Sequence, residues 1–113
     1  MKENERIRNN IVFLVKYLSV EYISDEEYRE LVNLDPENET DLLIIIEKQV
    51  LPSFVSEPKA QKSEILSDFK KALETNQIDF KSIHPHIKFP FLINNYSDFY
   101  KLFYNQLLIA TNG

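Results

Sequence analysis

The chain carries a single glycine, Gly113, at the last of its 113 positions. Every phosphate-cradling loop uses internal glycines to bring backbone N–H groups up to the anion, so P-loop, dinucleotide and kinase signatures are excluded. The same lack removes a nucleophile elbow and an oxyanion-hole glycine. Cysteine is absent as well. Disulfides, thiol catalysis, iron–sulfur clusters and cysteine-based zinc sites are therefore excluded together. No segment alternates apolar and polar residues as a half-buried strand would; the apolar residues recur at three and four, the helical period.

The length allows one domain, taken as residues 1–113. Thirteen Leu, twelve Ile, six Val and eight Phe can fill a core, so the chain is not expected to be disordered. Met1-Lys2-Glu3-Asn4-Glu5-Arg6 is mixed in charge and lacks the basic-then-apolar form of a secretory signal. The apolar run 11–15 ends at Lys16, far short of a membrane span. A cytoplasmic protein without membrane contact is the expectation.

Ile7, Ile11, Leu14, Val15, Leu18 and Tyr22 step by three and four, predicting a helix over about 4–22, with Val12 and Phe13 widening its apolar face. Ser24-Asp25-Glu26-Glu27 reads as a capping box between the Ser24 hydroxyl and the Glu27 carboxylate, with Ile23 and Tyr28 placed as a hydrophobic staple. It should start a short helix to Val32 with Tyr28, Leu31 and Val32 inward. A third helix starts at Asp35-Pro36 or at Asn38 and runs to about Leu51, where Pro52 stops or kinks it. The run 42–46 admits a strand, but its polar flanks favour helix. A fourth opens at Ser56-Glu57-Pro58, carries Ile65, Leu66, Phe69, Ala72 and Leu73 on one face, and ends at Asn76, a left-handed cap. One turn follows at 78–83. Pro85 and Pro90 forbid a long helix through 84–92, and a last helix spans about 97–110. The expected fold is all-α: an irregular bundle of about five helices with a proline-rich connector before the last one.

Charge is unevenly placed. Residues 1–57 hold thirteen acids and six bases, and residues 58–113 hold five acids and seven bases. From Glu21 to Asp41 there are nine acids and one base, Arg29. Helix starts account for Asp25, Glu26, Glu27, Glu37, Glu39 and Asp41. Glu21 and Glu30 are placed away from helix starts. With Asp35 they make a negative surface that could steer a basic partner. Direct nucleic-acid binding is disfavoured, because the basic footprint is only Lys59, Lys62, Lys70 and Lys71, with Glu64 and Asp68 between them. The candidate contact residues are Glu21, Asp25, Glu26, Glu30, Asp35 and Glu37. Three tyrosines of the last helix, Tyr96, Tyr100 and Tyr104, join them, because the aromatic residues there cover too wide an arc for one buried face, and exposed tyrosine is enriched in interfaces.

His84-Pro85-His86 is the only histidine pair. A zinc site draws on three or four ligands, and no third is indicated, so turn residues are the expected role. The carboxylates around Asp25–Glu30 look exposed and unsuited to general acid catalysis. The expectation is a non-enzymatic protein with no metal and no cofactor.

The stretches Arg6-Ile7-Arg8-Asn9-Asn10-Ile11-Val12-Phe13-Leu14 and Ile83-His84-Pro85-His86-Ile87-Lys88-Phe89-Pro90-Phe91 resemble α-helical immunity proteins of contact-dependent growth inhibition systems. So does the general character of the chain: small, acidic, cysteine-free and helical. That resemblance implies a cytoplasmic protein, monomeric when free, that binds a cognate toxin domain and blocks its active site. Many such toxins are basic nucleases, which would suit the acidic 21–41 segment. The alternative is a helical regulatory or adaptor protein-interaction domain, for which self-association through the tyrosine-rich last helix is one option.

Overall fold

In the computed structural model, residues 2–112 are described, and the side chains of His86 and Asn112 lie outside the described residues. Ile7, Ile11, Leu14 and Val15 line the inner face of helix α1, Lys2–Val15. The regular helix ends earlier than the periodicity predicts. Two 3₁₀ turns follow, Lys16–Leu18 and Val20–Tyr22, separated by Ser19 in an extended conformation. Leu18 stays buried, but the altered helical phase turns Tyr22 outward.

Helix α2, Asp25–Leu31, starts as the sequence requires. The Glu27 N–H donates to Ser24 Oγ at 3.2 Å, and the Ser24 N–H donates to a Glu27 carboxylate oxygen at 2.9 Å. Leu31 is its buried anchor, whereas Tyr28 and Val32, expected inward, are exposed. The three share one face of α2, but only Leu31 is covered by the rest of the bundle.

Helix α3, Glu39–Gln49, takes Asn38 rather than Asp35-Pro36 as its start; the Asp41 N–H donates to Asn38 Oδ1 at 3.1 Å. The run 42–46 is helical, and Leu42, Ile45 and Ile46 are buried. Pro52 kinks the chain without ending its helical course. Val50 closes α3, and a short helix α4, Leu51–Val55, begins at once with Pro52 in its first turn, where a missing N–H costs no helical bond. Helix α5, Lys59–Thr75, buries Ile65, Phe69 and Ala72 and ends on Asn76 at φ 55°, the left-handed cap read from the sequence. The segment Phe80–His86 is 3₁₀ with Pro85 inside it, started by Asp79, whose carboxylate accepts from the Lys81 N–H. Helix α6, Tyr96–Asn112, completes the chain. No strand occurs among the described residues, so the fold is the all-α irregular bundle expected.

Helix α6 is the central element: α3 packs along it, and α4, α5 and the 3₁₀ segment Phe80–His86 also touch it, while α1 packs on α5. One cluster of buried apolar side chains runs from Ile7 to Leu107. Phe69, Phe80, Phe99, Tyr100 and Phe103 fill its centre, with Phe80 stacked face to face on Tyr100 at 4.4 Å. The radius of gyration, 13.3 Å, is that of a folded chain of this length. Among the described residues no helix is long and apolar enough to cross a membrane.

The seam between α1 and α5 is polar at one point. Asp68, buried on α5, accepts from Arg6 Nε at 3.0 Å, from Arg6 Nη2 at 2.9 Å and from Asn10 Nδ2 at 2.7 Å. A buried carboxylate needs such donors to remain charged away from water. The pairing raises the Arg6 guanidinium further above its ordinary value, through the Asp68 hydrogen bonds first and its charge second.

Candidate protein-binding surface

The acidic segment folds as a rim around α2. Its carboxylates divide into those with intramolecular duties and those without. Glu27 caps α2 and also accepts from Gln49 Nε2 at 3.0 Å, and these bonds, the Ser24 backbone N–H first, hold its pKa below the ordinary carboxylate value. Glu30 pairs with Lys48 at 3.0 Å across an exposed gap. Asp35 Oδ1 accepts from the Glu37 N–H, and the Asp35 N–H donates to Asp41 Oδ2, both at 2.9 Å. Glu37 is half-buried and receives both the backbone and the side-chain N–H of Asn94 at 3.0 Å, which ties the connector to the α3 entry. Three of the six acidic candidates, Glu30, Asp35 and Glu37, are thus already engaged.

The other three are not. Asp25 and Glu26 stand exposed in the first turn of α2, and no side-chain partner for them occurs among the described residues. Glu21 is exposed too, but it does sit at a helix start: it opens the second 3₁₀ turn, and its N–H donates to Ser19 Oγ at 3.4 Å. Its position is therefore local geometry, contrary to the expectation, while its carboxylate remains unpaired among the described residues.

Between these acids lies an apolar set that sequence reasoning placed inside or did not single out. Val20, Tyr22, Tyr28 and Val32 are 41%, 53%, 42% and 43% exposed. Only three other large apolar side chains are comparably exposed among the described residues, Val55, Leu92 and Ile109, and they are scattered. Tyr22 continues an aromatic ladder: its ring meets Tyr17 edge-on at 5.5 Å, and Tyr17 meets Phe13 edge-on at 5.8 Å. The apolar spacing alone could not expose Tyr22, because it fits the α1 face if the helix continues to 22. The signal was Ser19, a buried serine that caps rather than continues.

The tyrosines of α6 require a correction. Tyr100 is fully buried and cannot contact a partner. Its hydroxyl and His84 Nε2 share a hydrogen bond at 2.9 Å, and burial, with a lesser contribution from Tyr96, raises the phenol well above its ordinary value. Tyr96 is half-buried with its ring 4.2 Å from that of His84, and Tyr104 is half-buried against Phe69 at 5.3 Å. The wide aromatic arc of α6 is absorbed because that helix has neighbours on several sides. His84 is held among Phe89, Tyr96 and Tyr100, and burial pushes its imidazole down to about 4. It is a packed residue with one polar contact. The second histidine's side chain, that of His86, lies outside the described residues. No group of three or more His, Asp or Glu side chains converges on a metal-sized space among the described residues.

What this surface offers chemically is area and charge. Two exposed tyrosines and two exposed valines lie in the same segment as three carboxylates without a partner among the described residues, Glu21, Asp25 and Glu26. Nothing in it activates a nucleophile or positions a general acid against a general base. In comparisons with known protein families, curated proteins and solved structures, nothing matches the chain.

Proposed function

We propose that this chain is an immunity protein: it binds a cognate toxin domain, a basic nuclease by preference, one to one in the cytoplasm and blocks its active site without catalysis. The observation that carries the reading is the coincidence of two features in one short segment. Four of the seven most exposed large apolar side chains fall within Val20–Val32, the same stretch that concentrates the chain's acids. Desolvated tyrosine supplies binding energy, and a rim of like charge speeds encounter with an opposite one and rejects acidic partners. The sequence resemblance to immunity proteins points the same way. Self-association through α6, one form of the alternative adaptor reading, is weakened, since Tyr100 is in the core and Tyr96 and Tyr104 are half covered.

Growth on co-expression tests the reading. Cells expressing the toxin domain encoded beside this chain should stop growing, and co-expression of the chain should restore growth. Continued arrest at matched expression, or no complex between the purified proteins, would rule the proposal out.

A further inference from the structure

A cleft of about 340 Å³ lies where α1 meets the 3₁₀ turns, walled by Val12, Ser19, Ile83 and Ile87, with Arg8, Lys16, Glu21 and Tyr22 at its margin. Two cations, Arg8 and Lys16, stand at this cleft. Three bases elsewhere pair with carboxylates: Arg6 with Asp68, Lys48 with Glu30, Lys71 with Glu3. Arg8 and Lys16 do not, among the described residues, although both are half-buried. Uncharged groups hold them instead. Arg8 donates from Nη1 to Ser82 Oγ at 2.8 Å and from Nη2 to the Ser82 carbonyl at 2.9 Å. Lys16 Nζ lies over the rings of Phe13 and Tyr17, at 5.3 and 5.2 Å. Two of the five guanidinium N–H groups are thereby used, and the remaining donors keep their capacity. Both cations are thus held by uncharged groups beside an apolar floor, with Glu21 the carboxylate among the lining residues.

We propose that this cleft binds a small organic anion: one carboxylate on an apolar body, the carboxylate at Arg8 and Lys16 and the body on Val12, Ile83 and Ile87 against the Tyr22 ring. The volume is that of a small-ligand site, and apolar walls with a few fixed polar groups are the usual make-up of such sites. A cation that need not break an ion pair binds an anion without that opposing cost. Glu21 at the margin opposes an anion and sets the direction of one test. The site does not depend on the partner reading, and its test needs no partner.

The experiment is calorimetric titration of the full chain with sodium octanoate, octanol and octylammonium, followed by the same titrations on two variants whose folding is checked by circular dichroism. Octanoate should bind with one site per chain, and the alcohol and the amine should not. Lys16→Gln should weaken octanoate by about tenfold or more, the loss of one charge-assisted contact. Glu21→Gln should tighten it, a gain that damage to the fold could not produce. Absence of octanoate binding, equal binding of octanol, or an affinity indifferent to both substitutions would overturn the proposal. So would binding of an acidic peptide, acetyl-Glu-Glu amide, in place of octanoate.

Discussion

Two single residues show how burial and partnership decide what a polar group does here. Asp68 is buried and fully bonded by Arg6 and Asn10. Asp68→Ala leaves the buried Asn10 amide without its acceptor, and a buried donor left unpaired costs about 1–3 kcal/mol. Urea denaturation should show that loss, whereas Lys71→Ala, which removes an exposed pair with Glu3, should leave the midpoint nearly unchanged. His84 gives a pH dependence of defined sign. Unfolded, it takes up a proton near pH 6.5; folded among Phe89, Tyr96 and Tyr100, it does so only near 4. Between those values the unfolded chain binds more protons, so stability is complete above pH 6.5 and declines as the pH falls toward 4. Denaturation midpoints at the two ends of that window should differ less in His84→Gln than in the wild type. An equal decline in both would assign the effect elsewhere.

At the scale of elements, what the sequence disclosed was what local chemistry decides. The Ser24–Glu27 box and the Asn76 cap follow from a few adjacent residues and stand where they were expected. Ser24→Ala should therefore cost about 0.5–2 kcal/mol, measured by thermal or urea denaturation, because the Glu27 N–H loses its acceptor. A midpoint unchanged by the substitution would mean that the box does not hold α2 in place. What stayed hidden depends on neighbours distant in sequence. A wide apolar stripe does not say which of its members a second element will cover. Tyr100 is swallowed because Phe80, Phe69 and His84 close over it, and Tyr22 is released because the chain turns at Ser19 and the Val20 N–H donates to the Lys88 carbonyl at 2.8 Å. The acidic half of the candidate surface was legible as composition. Which carboxylates are occupied was not, since Lys48, Gln49 and Asn94 approach Glu30, Glu27 and Glu37 only in the folded chain. Pro52 illustrates the same limit: a proline marks a break in a helix, and only the fold shows that a second helix starts there.

For the whole molecule, the bundle packs its largest aromatic cluster around α6, and the segment around α2 carries nine of its acids together with the exposed Tyr22 and Tyr28. Exposed charges contribute little to stability, so Glu21→Lys, Asp25→Lys and Glu26→Lys together should leave the chain folded, at a modest cost where Asp25 and Glu26 face the start of α2. Encounter is another matter, because steering acts over about 8–10 Å at physiological salt and is screened beyond that. The direct measurement is the association rate of the proposed basic toxin partner with the wild type and with the triple reversal, at low and at high salt. The reversal should slow association at low salt by about tenfold or more and flatten its salt dependence. Association at an unchanged rate in low salt would contradict this and reduce the acidic side of α2 to a solvated surface.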